Sequence, residues 1–596
     1  MFGQKKIVLI LFALHFLWIL YIFPVQCLFN NQPIYNVDYP FHYYNTYSAN
    51  RFFAADKHIW GYDPYLFAGY PSNVYSDLDN KWVEILTSFL QVSLLAYAFK
   101  MLVFAAFLSA PFFMYLAAIN FGLKPNASLI SLGLSIFIWN AGRYTYLKII
   151  NGMFSYVLAC YVSMYFLSVL YKYMNDSTRR HFFNFAAVTA FLPMIHILSV
   201  ITVIVPAFVL FIGKIRRSLW FNASFLFAAM ISLAVNYFWV APCIRFMHYK
   251  ILVMAITKPP GISRFFSDLF IGVEANIGFI LLVAGMYGIY RTYKDDRYKA
   301  CIFFFAFLWA FFLAYFSAYN RTMLEMEPYR FRFFMYLTLI LPSAITINEF
   351  WPGLYGKIKS NIYAFCFFIL FCLVLFMPVV DKQIKRANLH TDLPKEYYNL
   401  VGYINNNLAN DARILVVPYR MRINDKKDDE GFWVMLLPML TGKDIIHDLV
   451  EFHPIQHLLP FRRVLPGFLN RDQITLSRFF ELYNIGYLVF WNEGLSQPLI
   501  NKLITKQKQI GRFNIYRINR KPDYFIKGHG QISISYNKID VKKASKGSVI
   551  LKYHWFECLK TRPELKIEKY VTPDDEVGFI KVNNGSVSDF LIYNSY

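Results

Sequence analysis

The chain has 596 residues, 57% of them hydrophobic and 20% aromatic, which is too apolar for an ordinary soluble protein. Its net charge of +23 comes with no nucleic-acid recognition motif, so nucleic acid is set aside as a partner; Lys and Arg in so apolar a chain set membrane orientation and meet lipid headgroups. The seven cysteines show no CxxC or Cys/His ligand spacing, which argues against a zinc site, and only Cys558 lies in the polar C-terminal part, leaving that part no internal disulfide.

Lys5 and Lys6 precede an apolar run over 7–28, too long for a signal-peptide core and followed by no small-residue cleavage site, so it reads as an uncleaved anchor. Each hydrophobic run near 20 residues is long enough to cross a hydrocarbon core of about 30 Å. Further spans are predicted at 100–121, 127–140, 153–171, 183–193, 198–212, 219–241, 269–290, 300–319, 333–350 and 362–380, and 82–99 reads as amphipathic or re-entrant. With Lys5 and Lys6 placed in the cytoplasm, alternation puts fifteen Lys and Arg in inner segments and nine in the longer outer loops between the later spans. Keeping 183–193 and 198–212 as a pair leaves both flanking basic clusters inside. The expectation is a polytopic α-helical protein of about 11 spans, with the N-terminus cytoplasmic and the C-terminus outside.

After residue 381 polar residues rise, and short β-like runs appear at 413–418, 487–491, 513–518, 532–536 and 548–553, with helical patterns at 395–407 and 476–484. The domain division is therefore 1–380 for the membrane part, with a first outer loop at 29–84, and 381–596 for a folded extracytoplasmic α/β or α+β domain with its own core.

The loop at 29–84 is long, polar and rich in Tyr, Phe and Trp, which favours an ordered functional loop over disorder. Asp38 stands about ten residues past the first span; an acid there can serve as a general base towards a hydroxyl, or simply cap a helix begun by Tyr39-Pro40. Asp77 and Asp79 form a DxD pair that could clamp a divalent cation, Mg or Mn, or could be a solvated turn. His42, Tyr65 and Tyr70 are pocket candidates in the same loop, since aromatic faces suit sugar stacking. Arg330 and Arg332 flank Phe331 at the outer start of the tenth span, where a rigid fork of donors suits a phosphate, or the side chains snorkel. His196 sits at the predicted outer turn between two short spans, and Arg143 with Lys148 lies in another outer loop, placed for phosphate or for headgroups. These residues fall on one side of the membrane under a topology set by other residues. A base, anion-binding arginines and an aromatic loop on one face point to transfer from a membrane-anchored phosphate donor.

Asp38-Tyr39-Pro40-Phe41-His42, then Gly61-Tyr62-Asp63-Pro64-Tyr65-Leu66-Phe67-Ala68-Gly69-Tyr70-Pro71, resembles the first outer loop of bacterial GT-C membrane glycosyltransferases. It looks closest to the YfhO-like group, some of whose members carry a 6-pyruvoyl-tetrahydropterin-synthase-related name. Pro328-Tyr329-Arg330-Phe331, Leu393-Pro394 with 413–418, and 482–489 are similar to later parts of that family. The resemblance implies a GT-C fold, a polyprenyl-phosphate-linked sugar donor and an inverting transfer to a cell-envelope acceptor (lipid, polysaccharide or protein) on the outer face of the bacterial cytoplasmic membrane. By the same resemblance Asp38 is the catalytic base and Arg330 contacts the lipid phosphate. Tyr39 replaces the second acid found in some GT-C enzymes, so the resemblance leaves metal dependence open. The alternatives are a transporter or flippase of lipid-linked saccharides, which would need midplane polar residues and often repeats that the sequence lacks, and a scaffold that binds only through its C-terminal domain.

Overall fold

A computed structural model describes residues 2–141, 149–214, 219–251, 261–270, 275–360, 388–417, 431–465, 468, 471–491 and 503–596. Ten of the predicted spans are helices: Phe2–Ile22, Leu95–Asn120, Pro125–Ala141, Phe154–Asn175, Arg179–Ile195, Leu198–Lys214, Leu219–Arg245, Ala275–Asp295, Arg297–Tyr315 and Phe331–Ser360. The span expected at 362–380, together with Arg143 and Lys148, lies outside the described residues. Among the described residues six helical segments are long and apolar enough to cross a bilayer. The pair around His196 is two separate helices, as the basic clusters required. Phe154–Asn175 and Phe331–Ser360 take the centre of the bundle, the first packing on Leu95–Asn120 and the second on Ala275–Asp295, Arg297–Tyr315 and Pro125–Ala141. Leu219–Arg245 instead leaves Leu226, Phe227, Met230 and Leu233 exposed, which suits a helix facing lipid tails.

The stretch expected to be one amphipathic or re-entrant segment divides. A short helix, Lys81–Ser88, turns through Val92–Leu94 into the spanning helix that begins at Leu95. The reason is local. Lys81 and Glu84 form a fully buried pair within the first helix, Nζ to Oε2 2.8 Å, and the Lys81 ammonium also donates to the Asn73 carbonyl (3.2 Å), which ties that helix to the preceding loop.

Among the described residues the C-terminal part contains three sheets. The first has five strands, β3 (Arg413–Val417), β4 (Ile445–His447), β5 (Ile485–Trp491), β6 (Ile504–Ile510) and β7 (Phe513–Ile518), in the order β4-β3-β5-β7-β6. The β4-β3-β5 side is parallel and the rest antiparallel. Parallel neighbours need crossover connections, here including Gln473–Leu482, while Lys395–Asn407 precedes the sheet. Strand β5 is buried along its whole length, which explains its unbroken apolar run. Two antiparallel four-stranded sheets follow, β12-β15-β10-β9 and β13-β14-β11-β8, built from β8 (Phe525–Lys527), β9 (Gln531–Ser535), β10 (Lys538–Lys542), β11 (Gly547–His554), β12 (Leu559–Arg562), β13 (Lys566–Thr572), β14 (Asp575–Gly585) and β15 (Phe590–Asn594). Only β9 (QISIS) and β10 (KIDVK) alternate polar and apolar residues along their length, so the pattern along the chain is a weak signal without the pairing.

The loop at 29–84 is ordered by this C-terminal part. Its helix, Tyr39–Asp56, leads to a hairpin of β1 (Gly61–Asp63) and β2 (Tyr70–Ser72). Between those strands Leu66 pairs in parallel with Ile445 at the edge of the five-stranded sheet. The Phe67 N–H donates to the Ile445 carbonyl (3.1 Å), and the Ile445 N–H to that of Tyr65 (2.8 Å). On the other two sheets, the Asn537 N–H donates to the Tyr62 carbonyl (2.9 Å) and the His554 N–H to that of Ala68 (2.7 Å).

Candidate active site

Asp38 is positioned by backbone contacts. Its N–H donates to the Asn151 carbonyl (3.3 Å), and the Tyr39 hydroxyl donates to the Ile149 carbonyl (2.8 Å). Gly152, at φ +90°, lies so close that an added Cβ would sit 3.0 Å from the Asp38 Cβ. Asp38 occupies the N-cap of Tyr39–Asp56, with Pro40 in the first turn, yet its side chain makes no capping hydrogen bond. The cap reading therefore holds for the backbone, which starts the helix, while among the described residues the carboxylate takes no hydrogen bond. Burial lifts that carboxyl to about 6, against the opposing pull of His42 and Arg330, while Glu327 and Asp77 add to the rise.

His42 lies one helical turn on, its N–H donating to the Asp38 carbonyl (3.1 Å). Its Nδ1 meets Asp77 Oδ1 at 2.9 Å, and the Asn80 amide donates to the same oxygen (2.8 Å). Burial would lower the imidazole, but Asp77, helped by Asp38 and Asp79, holds it above its ordinary value. Asn80 continues the chain: its Oδ1 accepts from the Ser155 hydroxyl, which accepts from the Trp82 indole (2.9 Å).

Asp79 faces a different histidine. Its Oδ1 lies 3.4 Å from His196 Nε2. The Leu198 N–H donates to His196 Nδ1 (3.1 Å), which puts the neutral ring's proton on Nε2, towards Asp79. The His196 ring packs edge-on against Tyr156, whose hydroxyl donates to the Arg330 carbonyl (2.7 Å). Arg330 is paired through Nε with Glu327 Oε2 at 2.5 Å, and Glu327 also accepts from the Tyr329 hydroxyl (2.9 Å).

The structure thus brings Asp38, His42, Asp77, Asp79, His196 and Arg330 into one polar cluster at the end of the bundle that carries the sheets. Arg332 is committed to a neighbouring ion pair with Asp268, which also binds Arg264. Tyr65 and Tyr70 serve the sheet contact: the Tyr65 hydroxyl donates to the Ile534 carbonyl (3.0 Å), and Tyr70 packs on Phe67 and His453. Asn80, Trp82, Ser155 and Tyr156 carry no sequence signal, because their roles come from contacts between segments some 75 residues or more apart.

Three residues around the cluster, Val37 (φ 29°), Asp77 (φ 54°) and Glu327 (φ 50°), hold left-handed backbone without being glycine. Each such conformation costs about 1–3 kcal/mol, and a surrounding fold must enforce it. The divalent cation suggested by Asp77-x-Asp79 lacks a donor set: the two carboxylates engage different histidines, and among the described residues no three His, Cys, Asp or Glu side chains converge on one point.

No protein-family model matches this sequence, and no curated protein matches it. Solved structures do. The mycobacterial arabinofuranosyltransferase AftD aligns with a TM-score of 0.57 at 12% identity, over 88% of this chain and 42% of its own. The oligosaccharyltransferase of Archaeoglobus fulgidus gives 0.53 at 12%, covering 81% and 69%. ArnT from Cupriavidus metallidurans gives 0.50 at 12%, covering 86% and 98%. The chain has a GT-C fold. At these identities the likeness concerns the arrangement of helices and sheets and assigns no substrate.

Proposed function

We propose that this protein is a membrane glycosyltransferase that moves a sugar from a polyprenyl-phosphate donor to a cell-envelope acceptor on the outer face of the bacterial cytoplasmic membrane. The observation that carries the reading is Asp38: a carboxylate free of its cap, raised to about 6, and within the electrostatic reach of Arg330. A general base works best with a pKa near the operating pH. Asp38 takes the proton of an acceptor hydroxyl. The freed oxygen attacks the anomeric carbon as the bond from that carbon to the phosphate oxygen breaks. A single displacement of this kind inverts the anomeric centre. Arg330, held by Glu327 yet still partly exposed, faces the charge that develops on the departing lipid phosphate. A second solved form of ArnT, bound to undecaprenyl phosphate, has the same fold (TM-score 0.50, 11% identity, 86% of this chain and 97% of that one), which supports a lipid-phosphate donor. The loop's likeness to YfhO-like proteins supports the same assignment.

The test is sugar transfer in proteoliposomes from a polyprenyl-phosphate donor. Asp38→Asn should lose on the order of 10²–10⁴ in rate while remaining folded. Full activity of that variant would refute the base assignment. Lipid-linked sugar crossing the vesicle with no covalent transfer would instead favour a flippase.

A further inference from the structure

The segment joining the site to the membrane helix carries a surface that the proposed reaction does not use. From 85 to 99 the sequence has no Asp, Glu, Lys or Arg. Within it Leu86, Phe89, Val92 and Leu94 are exposed, at 52%, 70%, 41% and 48%. The opposite face of the same short helix is buried and reaches the cluster through Trp82, Ser155 and Asn80. The apolar tip is held in a fixed shape. Asn50, itself buried, donates from one amide to the carbonyls of Thr87 (3.1 Å), Ser88 (3.1 Å) and Leu90 (2.9 Å), satisfying the helix end that water would otherwise solvate. The Phe89 ring lies edge-on to Phe53 at 4.7 Å, and the Lys57 ammonium sits 5.1 Å over Phe53. Lys57 is exposed.

Leaving such a tip in water costs about 25 cal/mol per Å² of apolar surface. What covers it follows from continuity: the apolar stretch long enough to span the bilayer runs from Val92 to Asn120, so Leu86–Leu94 lies where that stretch meets the interface. We propose that Leu86, Phe89, Val92 and Leu94 form a lip immersed in the bilayer leaflet on the sheet-bearing side, with Lys57 at the level of its phosphates. An uncharged apolar tip bordered by a lysine matches acyl chains below an anionic headgroup layer. The inference rests on the membrane fold and does not depend on the sugar-transfer reading.

The test reads depth without turnover. Phe89→Cys carries an environment-sensitive fluorophore in vesicles of phosphatidylcholine and phosphatidylglycerol. Some vesicles also contain lipids with a nitroxide near the top of the acyl chain. Wild-type protein labelled in parallel gives the background from native cysteines, and Tyr398→Cys, exposed on a C-terminal-domain helix, is the reference. The expected result is a blue-shifted emission with quenching at least about threefold stronger than at position 398. If Phe89→Cys does not fold, Leu94→Cys supplies the same reading. Quenching no stronger than at position 398 would overturn the proposal. So would a blue shift without quenching, which means that protein, such as a second copy, covers the tip.

Discussion

Asp38 owes its position to backbone contacts on both sides, and the tightest is Gly152. A Cβ at 152 would meet the Asp38 Cβ at 3.0 Å and the Tyr39 nitrogen at 3.1 Å, at a φ of +90° that L-residues rarely adopt. Gly152→Ala should therefore cost about 1–3 kcal/mol in thermal unfolding and also slow transfer, since the displaced atoms belong to the proposed base. The titration of Asp38 gives a second expectation. Its basic form is the anion and burial raises its pKa to about 6, so kcat/KM should fall about tenfold per unit as pH drops below that value. A profile flat from pH 7 to 5 would place the base elsewhere.

The hairpin β1–β2 is an element whose stability belongs to its neighbours. Two strands of three residues cannot stand alone in water. Asn537 supplies much of the clamp: its Oδ1 accepts from the Tyr62 N–H (2.6 Å), and its Nδ2 donates to Asp56 (2.7 Å). Asn537→Ala would leave the buried Tyr62 N–H without that acceptor, at a cost of about 1–3 kcal/mol. The expected outcome is a lower Tm together with reduced transfer, although residue 537 lies some 500 positions from Asp38. An unchanged Tm would mean that the remaining sheet contacts suffice to hold the loop.

Across the whole molecule, the interface between loop and sheets encloses several histidines. His453 packs against Phe41, Phe67 and Tyr70, and Ser76 lies 3.1 Å from its Nδ1. Burial, with a smaller push from Arg462, lowers it to about 3, and burial with its neighbour His554 lowers His457 to about 3. A histidine depressed in the folded state binds fewer protons there than when unfolded. Its contribution to stability is therefore intact above about 6.5 and is lost as pH falls towards the folded value. Between pH 6.5 and 4.5 this amounts to about 2–3 kcal/mol for His453 alone. His453→Asn should lose less Tm than the wild type over that interval; equal losses would show that His453 is not the sensitive group.

Much of the architecture was legible in the sequence, because a membrane helix must satisfy its own backbone and so announces itself as an apolar run. The ten described spans, the helix Lys395–Asn407 and the start of a helix at Asp38-Tyr39-Pro40 all follow from local pattern. Strands β12–β15 did not, since each is stabilised by partners remote in sequence. The site divides the same way. Asp38 and Arg330, the base and the phosphate contact proposed above, could be nominated by residue type and by the topology the sequence predicts. Sequence could not show that Asp77 goes to His42 while Asp79 goes to His196. Nor could it show that Tyr65 and Tyr70 belong to the sheet contact. Hydropathy and charge, summed along the chain, determined that this is a polytopic membrane protein with a polar domain. Which carboxylate is paired and which is left free depends on distances between segments far apart in sequence, and only the tertiary structure decided that.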